Sequence, residues 1–159
     1  MSEQLAFQGN NHLDEIDLYA VLHISDLRLF VPQTEVKGLE SIDVLKAGND
    51  GMCFEYTLSE TERYPVYVMD EKLKPQQQLV RAGQECVLLN DGLNQFAVVC
   101  EQLHEAMREQ IQLRSIPRSM RTARSPIQAL AVFEGRLGCV TNAGLLYQYL
   151  THFSLAKVS

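Results

Sequence analysis

No tryptophan and no pair of closely spaced cysteines occur in this chain. Cys53, Cys86, Cys100 and Cys139 are too scattered for a zinc knuckle or a redox dithiol. Most of them sit inside apolar, strand-like runs, so buried free thiols behaving as small hydrophobes are expected. Together with the lack of a secretory leader, that points to a reducing cytoplasm as the expected location. Long apolar runs are missing too, none approaching the ~20 residues that a membrane span requires. Basic residues are outnumbered, 14 Lys and Arg against 20 Asp and Glu, for a net charge of −6. Such a balance disfavours a general nucleic-acid or anionic-membrane binder.

Catalytic constellations are also absent. The glycines stand singly at turns, so there is no glycine-rich phosphate loop. His12, His23, His104 and His152 each lack a second histidine or cysteine at ligand spacing. Glu60-Thr61-Glu62 and Asp70-Glu71 fall in expected loops, where solvated charge is the default. The chain is therefore expected to be non-enzymatic, with no catalytic, cofactor-binding or metal-binding residues.

What the sequence has is a recurring form: apolar strand, tight turn, apolar strand. Its clearest instance is 85–100, where Asn90-Asp91-Gly92 supplies the positive φ angles of a two-residue hairpin turn. The same form appears at 18–31 around Ser25-Asp26 and at 129–140 around Glu134-Gly135. Three hairpins spread over one chain suggest small β-barrels built from related units. Residues 1–16 are expected to be a flexible or loosely docked polar arm, and 17–159 a single folded domain.

Between the hairpins the pattern weakens. Pro32 marks an edge position or the end of regular pairing. Val36, Leu39, Ile42 and Leu45 are spaced by three, as in a helical turn or a surface loop, and Gly38 weakens the helix. Residues 52–58 and 64–69 suggest further strands. Leu103, Met107 and Ile111 are spaced by four, as in a short helix or the tail of a strand. Thr141 or Asn142 can cap a C-terminal helix that buries Leu145, Leu146, Tyr149 and Leu150.

The main charge anomaly is Arg114, Arg118, Arg121 and Arg124, in a loop with two prolines. Guanidinium groups bind carboxylate and phosphate bidentately, so this loop is a candidate surface for an acidic partner, or else a linker kept soluble by charge. A small β-barrel binding nucleic acid through 114–124 is the alternative function, weakened because no aromatic residue there can stack on a base.

The order of these segments resembles the CheW-like domain. Leu18 to Val36 looks like that family's opening strand pair and its characteristic valine. Tyr64-Pro-Val-Tyr-Val-Met-Asp-Glu-Lys-Leu73 resembles its segment of proline, apolar strand and Asp-Leu. Cys86 to Leu103 resembles the next strand pair. Ile116-Pro117, Ser125 to Gly135 and Leu145 resemble the closing unit. The resemblance implies two interlocked five-stranded SH3-like barrels with a short C-terminal helix, in two pseudo-symmetric subdomains. It also implies a cytoplasmic adaptor bridging a CheA-type histidine kinase to methyl-accepting chemoreceptors, in chemotaxis or a type IV pilus system. The family's Arg-Gly pair before the hallmark proline is replaced here by Glu60-Thr61, and its acidic residue after the valine by Gly38. The expected binding surface comprises Val36, Gly38, Leu39, Glu60, Thr61 and Arg63, with the arginine loop as a second.

Overall fold

The computed structural model describes residues 13, 15–42, 46–47, 54–57, 63–76, 84–120 and 125–158. Its strands, in chain order, are β1 (Leu18–Ile24), β2 (Leu27–Pro32), β3 (Val36–Ser41), β4 (Lys46–Ala47), β5 (Phe54–Thr57), β6 (Arg63–Met69), β7 (Pro75–Gln76), β8 (Glu85–Asn90), β9 (Gln95–Cys100), β10 (Gln102–Met107), β11 (Gln112–Arg114), β12 (Ala129–Phe133) and β13 (Arg136–Val140). Helix α1 (Ala143–Val158) follows.

All three expected hairpins form. β1 and β2 join through Ser25 and Asp26, with Ser25 at φ +53°. β12 and β13 join through Glu134 and Gly135, at φ +52° and +74°, the pair of positive angles a type I′ turn requires. The central turn differs from expectation. β8 and β9 last pair at Asn90 and Gln95, leaving a loop of four residues, 91–94, rather than two. Polar side chains explain the longer loop: Asn90 Oδ1 accepts the Gly92 N–H at 2.8 Å, and Asp91 Oδ1 accepts those of Leu93 and Asn94 at 2.9 and 2.7 Å.

The strands form two sheets. One has six strands in the order β10-β1-β2-β13-β12-β11; the other has seven, β3-β8-β9-β6-β5-β4 with β7 added on β6. Position by position the two orders correspond. Each holds a hairpin (β1–β2 or β8–β9) joined in parallel to an antiparallel pair (β13–β12 or β6–β5). The strand after each hairpin crosses over: β3 pairs with β8, and β10 pairs with β1. Each half of the chain thus completes the other half's sheet.

Both sheets curl. β10 and β11 lie on opposite edges, yet only residues 108–111 separate them in sequence. Such a connection reaches at most ~18 Å, whereas opposite edges of a flat six-strand array lie about 24 Å apart. β3 and β4 stand in the same relation in the second sheet. Neither ladder closes, however: among the described residues β10 does not pair with β11, nor β3 with β4. In place of the two five-stranded barrels that the resemblance implies, the described strands form two rolled sheets of six and seven strands, neither closed. The reason is visible after β10, where a 3₁₀ turn (Arg108–Gln110) ends on buried Ile111 and carries the chain across the end of the roll. Closure would have required the chain to reverse beside β10.

Alternation with a period of two explains the continuous apolar runs, because the central strands are buried on both faces. Tyr19, Val21 and Phe30 face the interior of the six-stranded roll with Ala129, Ala131 and Val140. Val66, Cys86, Leu88, Ala97 and Val99 fill the other roll. The residues between them, including Ala20, Leu22, Leu29, Val31, Val87, Leu89, Phe96 and Val98, make a shared core against which Leu146 and Leu150 of α1 pack. Asn142 caps the helix, its Oδ1 accepting the Leu145 N–H at 2.9 Å. Leu13 is buried in the first roll, and its carbonyl accepts the Tyr19 hydroxyl at 3.3 Å. Cys86 and Cys100 are buried free thiols, each pushed up to about 12, chiefly by burial. Cys53 lies outside the described residues.

Two weak segments resolve as strands. Residues 36–41 are β3, with a bulge between Val36 and Gly38, rather than a helical turn or loop. Leu103 and Met107 lie on β10, with Ile111 in the connection after it.

Gly138 is where the parallel seam between β13 and β2 is tightest. A Cβ there would sit 2.5 Å from Phe30 Cε1 and 2.7 Å from the Arg28 carbonyl oxygen. At Gly38 the nearest atom is Leu88 Cδ1 at 3.3 Å, the end of a flexible side chain. Gly138→Ala should therefore cost about 2 kcal/mol or more, and Gly38→Ala about 1 kcal/mol or less, in urea denaturation. Equal costs would contradict this packing.

Candidate docking surface

An edge strand presents a row of backbone N–H and C=O groups that its own sheet leaves unpaired, and proteins that bind partners use such rows. Among the described residues β3 is such an edge, bonded to β8 on one side. Its position is set by the segment that crosses between sheets, a 3₁₀ turn (Gln33–Glu35) directly before Val36. Glu35 anchors the crossing: its Oε1 accepts the Ala143 N–H at 2.8 Å, at the start of α1. An anion there faces the partial positive charge of a helix N-terminus. Burial raises the Glu35 pKa; the bond from Ala143 lowers it, and the nearby charge of Asp91 raises it, for a net upward shift. Burial also raises Asp91, but its bonds from Asn94 and Leu93 outweigh that and hold it below its ordinary value.

On β3, Leu39 is 43% exposed, a substantial apolar group on an open edge. Lys37 is exposed, and its Nζ donates to the Thr34 carbonyl at 2.9 Å. Val36 pairs with Leu89 and so lies at the β8–β9 loop end of the sheet. Arg63 lies at that end as well, exposed, its carbonyl accepting the Gln95 Nε2 at 2.9 Å. The strand order puts β3 and β6 three places apart, about 14 Å on a flat sheet. Val36 and Arg63 therefore share one end of one sheet, while Gly38 and Leu39, opposite Leu88 and Val87, lie further along the β3 edge. Glu60 and Thr61 lie outside the described residues.

Leu93, at the tip of the β8–β9 loop, is 93% exposed and sits between β3 and β6 at this end. Sequence reasoning missed it, because Asn90-Asp91-Gly92 was read as a turn and nothing more. The signal was available: a leucine directly after a glycine turn has little to bury itself against.

The arginine loop belongs to the other sheet. Arg114 ends β11, an edge strand, and Arg118 lies in a 3₁₀ turn (Arg118–Met120); both are exposed. Arg114 Nη2 donates to Gln112 Oε1 at 3.3 Å. Arg121 and Arg124 lie outside the described residues. Among the described residues no three His, Cys, Asp or Glu side chains group as metal ligands, and no helix is long and apolar enough to cross a membrane.

No family model matches the chain, and no curated protein matches it. Solved structures do match. One is the scaffolding protein TtCheW from Thermoanaerobacter tengcongensis, with a TM-score of 0.63 and 10% sequence identity, covering 82% of this chain and 92% of that one. At that identity the likeness is one of fold: this chain has a CheW-like fold, mainly β, with two sheets and a C-terminal helix.

Glu35 offers a test of how the edge is held. Its folded pKa lies above the ordinary 4.5, so the stability it lends is complete below that value and falls as pH rises through the folded value. Glu35→Gln keeps the acceptor for Ala143 without the buried charge. It should be at least as stable as the parent at neutral pH and less sensitive to pH above 4.5. Glu35→Ala should lose about 1 kcal/mol. Denaturation at acid and neutral pH checks both, and a glutamine variant as unstable as alanine at neutral pH would rule this anchor out.

Proposed function

We propose that this chain is a non-enzymatic, cytoplasmic adaptor of a chemosensory array, bridging a CheA-type histidine kinase to methyl-accepting receptors in a chemotaxis or type IV pilus system. The observation that carries the reading is the likeness to a scaffolding protein over 82% of this chain and 92% of that one. An adaptor works through surfaces, and the open β3 edge with exposed Leu39 suits one.

In this reading Val36, Gly38, Leu39 and Arg63, with Glu60, Thr61 and the exposed Leu93, make the first docking surface. Arg114, Arg118, Arg121 and Arg124 make a second, toward an acidic partner. Gly38 removes a charge from the first surface, so apolar contact at Leu39 and Leu93 carries more of the binding there. Apolar anchors in such interfaces cost about 2 kcal/mol when truncated, roughly thirtyfold in affinity, whereas rim charges cost far less.

Capture of a CheA-type kinase or a receptor tail from the source cell extract at low salt is the expected outcome. Leu39→Ala combined with Leu93→Ala should abolish that capture while leaving the fold intact by circular dichroism. Recovery of neither partner by the parent chain would dismiss the adaptor reading, and unchanged capture by the double variant would dismiss this surface.

A further inference from the structure

The interior of the six-stranded roll changes character along its length. Leu13 and Ile111 belong to its apolar part; toward the β1–β2 turn it opens onto a cationic mouth, where His23 and Arg28 are half-buried and His104 and Arg136 exposed. Residues paired across neighbouring strands point to the same side of a sheet, so the register follows one face across the strands. Tyr19 and Val21 of β1 line the apolar interior, and His23 continues their row. His104 on β10 pairs with Val21, and Arg28 on β2 pairs with His23. Gly138 on β13 lies against Arg28, and Arg136 is the next residue of that strand on the same side. Arg136 in turn pairs with Phe133, whose ring meets Phe30 of the interior edge to face at 6.1 Å.

Four cationic or ionisable side chains from four strands thus gather over an aromatic floor. The rings of His23 and His104 meet edge to face, with centroids 4.7 Å apart. Among the described residues neither arginine has an ion-pair partner. The carboxylate acting on His23 is Glu101, and its Oε1 accepts the Ser25 N–H at 3.2 Å. The corresponding place in the other roll holds Asn90 paired with Gln95, whose amides bond to each other at 3.3 Å. Neutral amides satisfy one another there, and like charges cannot. The cationic set is therefore no requirement of the fold, which builds the equivalent position without it.

We propose that His23, His104, Arg28 and Arg136 form a binding site for a divalent oxyanion of the phosphoryl type. Such a group brings a charge of about −2 and three acceptor oxygens. A carboxylate, with one charge and about four lone-pair sites, neutralises less of the cluster and leaves part of its donors unmatched. Each guanidinium can present two N–H groups to an oxyanion, and each imidazolium one. Without a ligand, burial first, then His104, Arg28 and Arg136, hold His23 below its ordinary value, with Glu101 opposing. An arriving anion offsets that repulsion, so binding takes up protons and tightens as pH falls. The site lies on the opposite sheet from β3, and it stands or falls independently of the adaptor reading.

The test is an NMR titration of the full chain with sodium sulfate at constant ionic strength, following the imidazole resonances. Sulfate keeps its double charge across the histidine range, so any pH effect comes from the protein. Both His23 and His104 should shift on addition, with affinity about tenfold tighter at about pH 5.5 than at about pH 7.5. The double variant Arg28→Gln, Arg136→Gln should weaken binding about tenfold or more. Where it fails to fold, Arg28→Lys with Arg136→Lys keeps the charge, removes the fork and should still weaken it. His23→Gln with His104→Gln should remove the pH dependence. Inorganic phosphate binding as well as sulfate identifies a free anion, and tighter binding of a phosphoserine peptide identifies a phosphorylated partner; both support the site. Chloride reproducing the shifts, arginine variants binding sulfate undiminished, or an affinity indifferent to pH would each overturn it.

Discussion

The rest of the structure depends on the exchange of β3 and β10 between the two sheets. Without β10 the β1–β2 hairpin has an open flank, and without β3 so does β8–β9. The other flank of each hairpin rests on a short parallel seam, to β13 or to β6, so each sheet is completed only by the strand that crosses from the other. Both crossings are pinned by local polar bonds. Glu35 ties the first to the start of α1. At the second, the Glu101 N–H donates to the His23 carbonyl at 2.8 Å and Glu101 Oε1 holds the Ser25 N–H. The shared apolar layer, with Leu22, Val31, Val87 and Val98 from both hairpins, then joins the rolls into one body.

The proposed function rests on what this exchange leaves uncovered. Among the described residues a crossing strand is bonded on one side to its new hairpin and open on the other. β3 and β10 are both of this kind, and each carries an exposed apolar residue, Leu39 and Met107. A rigid body with open edges can hold partners in fixed relation without any chemistry of its own. The two pseudo-equivalent rolls have also diverged, and His23 and Arg28 stand where the other roll places Asn90 and Gln95. Two equivalent sheets can in this way keep one mouth neutral and make the other cationic.

The hairpins were legible in the sequence because their signal is local. Apolar runs bounded by Ser25-Asp26, Asn90-Asp91-Gly92 and Glu134-Gly135 need no knowledge of the rest of the chain. The helix was legible for the same reason, from Asn142 and the apolar residues after it. β3 and β10 were not, since a strand half exposed on an edge shows a broken apolar rhythm, and Gly38 and Arg108 interrupt it further. The rolls were read as closed because closure rests on pairing between distant strands, which periodicity cannot report. Val36 to Leu39 enter the proposed surface through the family resemblance, whereas Leu93 is hidden inside a turn signal. The basic cluster was invisible for a stronger reason: four residues from four strands share no spacing in the sequence.

Native-state hydrogen exchange measures the strand exchange most directly. If each half completes the other's sheet, the amides of β1, β2, β8 and β9 open together, with one free energy equal to that of global unfolding. Addition of denaturant should then release both hairpins in a single cooperative step. Two separate opening free energies, with one hairpin protected while the other exchanges, would contradict the interlocked fold.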